Sequence, residues 1–129
     1  MILSHPPSNR KVVCYTRRMN AQLKADGRFW LTLEGKNFLG RGRVELLQRI
    51  RETGSISKAA KTMKMSYKAA WDAVDAMNAA WGAPLVASGP GGSRLTPDAE
   101  TLIAAYQQAE AQHTAFMTKL ARGLPARGD

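Results

Sequence analysis

Four side chains, Tyr67, Lys68, Trp71 and Asp72, fall within six residues directly after Ser66. Together they offer a phenol, an ammonium, an indole and a carboxylate. Their spacing puts them on the first two turns of a helix capped by Ser66. Groups of this kind at a helix N-terminus suit recognition of nucleic acid. Lysine bonds guanine or phosphate, carboxylate accepts from the cytosine amino group, and aromatic faces meet thymine methyls or sugars. Lys68 is also electrostatically out of place in a first turn, where the helix dipole disfavours a cation. A nearby anion would offset that cost. Each residue has a plainer role as well. Tyr67 can pack on the turn, Trp71 can enter the core, and Asp72 can pair with Lys68 one turn away.

Upstream lies a second short helical segment, Ile56–Met63, capped by Ser55. The small residues Ala59 and Ala60 allow a close helix crossing. Lys64-Met65 makes the turn between the two, which gives the layout of a helix-turn-helix. In that motif the first helix crosses the DNA backbone, so Ser57 and Lys58 are candidate phosphate contacts, with Lys61 on the same helix. Arg41 and Arg43, placed just before the preceding helix, are candidates for flanking phosphates. Arg94 is a candidate for the minor groove, whose potential attracts arginine. Ser55 and Ser66 cap their helices and leave free backbone amides that suit phosphate.

Charge supports a polyanion partner. The 129 residues carry a formal net charge of +9. Residues 1–71 hold 15 Lys/Arg against 4 Asp/Glu, whereas residues 72–129 hold 4 against 6. Such one-sided basicity is the electrostatic footprint of a nucleic-acid binder. It also fits a merely soluble basic surface. No stretch is long and apolar enough for a transmembrane helix, and the N-terminus lacks the apolar core of a secretory signal. The single Cys14 forms no internal disulfide and fits a reducing cytoplasm.

Enzymatic, metal and cofactor readings find no support. His5, His113 and Cys14 do not make a zinc ligand set. The glycines at 89–92 lack the Gly-Lys-Ser/Thr ending of a phosphate loop. No Ser/His/Asp elbow occurs, and Asp72 with Asp75 is only a pair of carboxylates on one helix. The expectation is no catalytic residue, no metal and no cofactor.

The remaining elements place these groups. Residues 1–19 read as a flexible basic arm in which Val12–Tyr15 could add a strand. Gln22–Ala25 and Phe29–Leu33 flank Asp26-Gly27, a strong hairpin signal, and Glu34-Gly35-Lys36 makes a further turn. A helix over about Arg43–Thr53 buries Val44, Leu47 and Ile50 and ends at Gly54. The helix after Ser66 runs to about Trp81, burying Ala70, Val74 and Met77, and ends at Gly82. Pro84–Ser88 and Ser93–Thr96 around Gly89–Gly92 predict a β-hairpin wing. Pro97 then opens a helix to about Arg122. Along it Leu102, Tyr106, Ala109, His113, Phe116 and Leu120 recur at alternating spacings of four and three, a heptad seam that predicts a dimer interface. The expected fold is mainly α with small β-hairpins: a winged helix-turn-helix over 20–96, a dimerisation helix over 97–122 and a tail over 123–129.

The run from Ser66 to Asn78, within Gly54–Asn78, resembles the N-terminal DNA-binding domain of the ModE family of molybdate-responsive bacterial transcription regulators. Gly40–Ile50 and Arg94-Leu95-Thr96 extend the resemblance to roughly residues 22–120. It is more distantly similar to LysR-type regulators. The resemblance implies a winged helix-turn-helix that binds double-stranded DNA as a homodimer through the long helix. Full-length family members add C-terminal molybdate-binding domains. This sequence runs about nine residues past Leu120, so it resembles the short members, and molybdate binding is not expected of it. The wing also departs from the family pattern, with Ala87-Ser88-Gly89-Pro90-Gly91-Gly92 carrying no charge before Arg94. The rival reading is a winged-helix protein-interaction module, or a DNA-binding subunit that partners a separate sensor.

Overall fold

A computed structural model describes residues 22–126. The arm at 1–19, with the expected strand at Val12–Tyr15, lies outside the described residues. Eight elements follow in the order β1 (Leu31–Leu33), β2 (Lys36–Leu39), α1 (Arg41–Thr53), α2 (Ile56–Thr62), α3 (Tyr67–Trp81), β3 (Val86–Gly89), β4 (Gly92–Leu95) and α4 (Pro97–Arg122). The fold is mainly α with two antiparallel hairpins, as the sequence implies.

The first hairpin differs from its expectation. Its turn is Glu34-Gly35, not Asp26-Gly27. Thr32 pairs with Asn37 and Leu33 with Lys36, and the register shifts between Leu31 and Thr32. Glu34 and Gly35 both have positive φ, 52° and 80°, the primed turn geometry that matches strand twist. Residues 22–30 form no strand. They lie instead along α4. Gly27 sits beside His113 and Met117, and the Phe29 ring lies 5.5 Å from Tyr106 and 5.4 Å from His113. Both Asp26-Gly27 and Glu34-Gly35 suit a tight turn; the long helix occupies the ground beside the first.

The core is a single cluster around α1. Val44, Leu46, Leu47 and Ile50 are buried there with Ile56, Ala59 and Ala60 of α2 and Ala70, Val74 and Met77 of α3. Leu46, which flanks the predicted stripe, is buried as fully as the stripe itself. Leu85, Val86, Ala99, Ile103 and Tyr106 close the cluster from the wing and α4. Burying each large aliphatic side chain contributes about 1.5–3 kcal/mol. The helix ends follow local chemistry. Gly54 and Gly82 terminate α1 and α3 in the left-handed region, at φ 71° and 82°. Thr96 caps α4 by accepting from the Ala99 amide, with Pro97 in the first turn.

Two contacts fix the wing. The Ser93 amide donates to the Gly54 carbonyl at 2.9 Å, which joins β4 to the end of α1. On the other side the Asn78 side chain accepts from the Leu85 amide at 2.8 Å and the Val86 amide at 3.4 Å. The start of β3 is thereby tied to α3.

The seam predicted along α4 divides between two faces. Tyr106 is buried at 2% exposure. Its hydroxyl donates to Glu110 at 3.1 Å and lies 3.4 Å from the Phe29 carbonyl. Tyr106 and His113 therefore face the chain's own segment 27–29. Leu102 and Ala109 are half-buried, and Phe116 and Leu120 are exposed at 55% and 44%. The 4-3 spacing spans a face broad enough to meet two neighbours, and Phe29 takes one side of it.

Candidate nucleic-acid interface

The α2–turn–α3 unit is assembled by its caps. The Ser55 hydroxyl accepts from the Lys58 amide at 3.2 Å, and the Ser66 hydroxyl from the Ala69 amide at 3.0 Å. Ser66 has extended backbone angles, so the chain turns sharply into α3. One face of α3 is then fixed in the core by Ala70, Val74 and Met77, which sends Tyr67, Lys68 and Asp72 to solvent.

These outward groups are partly organised among themselves. Lys68 donates to Asp72 at 3.0 Å, an i,i+4 pair with both side chains exposed. Such a pair is worth little in water, so either partner can exchange for a base or phosphate at small cost. The Tyr67 and Trp71 rings meet edge-on at 6.2 Å. Tyr67 is 55% exposed, whereas Trp71 is half-buried and also packs against the core. Trp71 thus has one part against the core, the plainer of its expected roles, and one part against Tyr67.

Ser57 and Lys58 are exposed on α2, and Arg94 is exposed on β4 opposite Ala87. The two arginines of the first long helix are situated otherwise. The sequence puts Arg41 and Arg43 ahead of that helix; they lie inside α1. Arg41 bonds Glu110 of α4 at 3.2 Å, and Arg43 donates to the Phe38 carbonyl at 2.9 Å. Each has an intrachain partner that connects α1 to a neighbouring element. Arg49 with Glu45 and Arg51 with Glu100 are paired likewise. Among the described residues, Lys58, Lys61, Lys64 and Arg94 form no salt bridge. Unpaired cations are therefore present on α2, on its turn and on the wing. The stretch from Thr53 to Trp71 contains no Asp or Glu, so nothing within it neutralises that face.

Sequence reasoning passes over Asn78, whose amide side chain orders the wing, and Glu110, which gathers Arg41 and Tyr106. Asn78 bonds the Leu85 and Val86 amides and Glu110 bonds Arg41, partners outside their own helices, so periodicity carries no sign of them. Among the described residues there is no cluster of three or more potential metal ligands, and no helix is long and apolar enough to cross a membrane.

A tri-helical core with a helix-turn-helix, a two-stranded wing and a long following helix defines a winged helix-turn-helix. Residues 42–100 match the model for the bacterial regulatory helix-turn-helix protein, lysR family. Two solved structures share the fold. One is the CbnR DBD–DNA complex, with a TM-score of 0.53 at 17% identity, covering 65% of this chain and 99% of that one. The other is VV2_1132, a LysR family transcriptional regulator, with a TM-score of 0.52 at 20% identity, covering 60% of this chain and 28% of that one.

Within that class the resemblance to ModE-type regulators holds. The chain is 46% identical over 91 residues to the molybdenum-pterin-binding protein MopB of Rhodobacter capsulatus, covering 67% of this chain and 34% of that protein. It is 40% identical over 87 residues to the molybdenum transport protein ModE of Azotobacter vinelandii, covering 64% and 32%. It is 41% identical over 101 residues to the transcriptional regulator ModE of Yersinia pestis, covering 74% and 38%. The chain spans about a third of the length of these curated relatives.

Proposed function

We propose that this chain is a sequence-specific DNA-binding transcription regulator that acts as a homodimer in the bacterial cytoplasm. The observation that carries the reading is the N-terminal end of α3. There Tyr67 and Lys68 stand exposed beside Trp71, on a helix whose opposite face is anchored in the core. Such a helix enters the major groove with its first turns against base edges. Tyr67, Lys68, Trp71 and Asp72 then contribute to sequence choice. Ser57 and Lys58 on α2 meet the backbone, Ser55 and Ser66 hold the amides at the two helix starts, and Arg94 meets the minor groove. Arg41 and Arg43 reach flanking phosphates, Arg41 by exchanging its exposed pair with Glu110 at small cost.

In this reading residues 20–96 form the reader and 97–122 the dimerisation helix. Leu102, Ala109, Phe116 and Leu120 form the contact between protomers, with Tyr106 and His113 supporting that helix from behind. Two readers related by a two-fold axis would meet half-sites about one helical turn, roughly 10 bp, apart. No catalytic, metal or molybdate role is assigned to these residues.

Selection of bound sites from random-sequence duplex tests the proposal. Enrichment of a two-fold symmetric consensus is expected. Recovery without any enriched sequence refutes a sequence-specific reader, and enrichment of a single asymmetric half-site refutes the dimer.

A further inference from the structure

The turn of the helix-turn-helix is closed by a lysine where the backbone favours glycine. The Met65 amide donates to the Ala60 carbonyl at 3.0 Å and the Lys64 amide to the Lys61 carbonyl at 3.1 Å. This is the Schellman pattern at the end of α2, with Lys64 at the left-handed position, φ 56°. Glycine is the usual residue there because it has no Cβ to clash, and helix-turn-helix turns often contain it. The two flanking helices follow that preference, ending on Gly54 and Gly82 in the same region. At position 64 a long cationic side chain is kept in a conformation that L residues seldom adopt.

Nothing within the described chain accounts for that side chain. Lys64 is exposed and forms no salt bridge or side-chain hydrogen bond among the described residues. The apolar anchors of the turn are its neighbours Met63 and Met65, which pack against the core. Lys64 also follows Lys58 and Lys61 at intervals of three, all exposed. Lys58 and Lys61, three apart on α2, are surface neighbours, and Lys64 follows in the turn, three residues before α3 begins.

We propose that Lys64 is a DNA-phosphate contact, retained at a strained position for its charge, and that it extends a cationic row from Lys58 through Lys61 to the edge of the recognition helix. This rests on the DNA-binding reading above. Local strain is commonly retained where function over-determines it. A phosphate contact is blind to sequence and depends on salt, which separates it from a base contact by Lys68.

The test uses the full chain and a random-sequence duplex. Lys64→Gly and Lys64→Asn both remove the charge, and both residues tolerate the left-handed turn. Lys64→Arg keeps the charge. Each variant is melted, and its duplex affinity is measured across salt. The neutral variants are expected to melt at or above the wild-type temperature yet bind more weakly. Each neutral variant loses one cation per protomer and two per dimer, so the log-log salt slope should be shallower by about 1.8 and the wild-type advantage should shrink about 12-fold between roughly 50 mM and 200 mM salt. Lys64→Arg should bind like wild type. Wild-type affinity and slope in the neutral variants would overturn the proposal, as would a loss that Lys64→Arg shares. A wild-type chain with no salt-dependent duplex binding would instead overturn the DNA reading itself, and Lys64 with it.

Discussion

Gly92 is the position where one added methyl group should do the most damage for its size. It is the first residue of β4, at φ 112°, and an added Cβ would lie 2.5 Å from the Gly54 carbonyl oxygen. The obstacle is backbone, so no side chain can swing aside. Gly92→Ala adds two costs. A left-handed L residue costs about 1–2 kcal/mol. Moving β4 away from Gly54 strains the Ser93–Gly54 hydrogen bond, worth about 0.5–1.5 kcal/mol. Together the loss should be about 2–3 kcal/mol, roughly 8–15 °C in melting temperature for a domain of this size. Gly89, paired with Gly92 across the wing, is an internal control. It has no positive φ, and nothing lies within 4 Å of an added Cβ. Gly89→Ala should therefore change stability by less than about 0.5 kcal/mol. Urea unfolding of both variants decides the matter. If Gly92→Ala lost no more than Gly89→Ala, the close approach of wing and α1 would not be holding the wing in place.

Lys68→Ala should weaken binding to a selected site by about 1–3 kcal/mol while changing random-duplex binding much less, if Lys68 reads a base edge; competition titrations with both duplexes check this. Burial, reinforced by the neighbouring Glu110 carboxylate, raises the Tyr106 phenol above its ordinary value. The folded state thus holds that proton more tightly than the unfolded one. The resulting stabilisation is complete below about pH 10 and is lost as pH rises through the raised value. Tyr106→Phe should flatten this alkaline decline in a urea titration series, and at neutral pH it should lose about 1 kcal/mol with the hydroxyl's hydrogen bonds. Phe116→Asp combined with Leu120→Asp leaves the described core untouched and should shift sedimentation from dimer to monomer with the helical signal retained.

What could be read in advance depended on how local its cause was. Ser55, Ser66, Thr96, Pro97, Gly54 and Gly82 mark helix ends correctly because a cap bonds backbone within a few residues of itself. The wing was legible for the same reason, with glycines and proline between two short apolar-polar runs. The first hairpin was misplaced because two dipeptides carry equal turn chemistry, and packing of residues 27–29 on α4 chooses between them. Arg41 looked free because Glu110 is 69 residues away in sequence. Along α4 helical periodicity marks an apolar face without naming its neighbour, and Phe29 covers Tyr106 on one side of it. Lys64-Met65 is legible as the turn, but the left-handed backbone at Lys64 is not, since no glycine marks it.

The central claim is that the face formed by α2, its turn, α3 and the wing binds duplex DNA through free cations. Equilibrium binding of the full chain to a selected duplex, followed across salt, tests it most directly. Each neutralised phosphate contributes about −0.9 to the slope of log affinity against log salt. Lys58, Lys64 and Arg94 on each of two protomers therefore predict a slope of about −5, reduced by the substitutions Lys58→Ala or Arg94→Ala. Weak binding with a slope near zero, unmoved by those substitutions, would contradict the account.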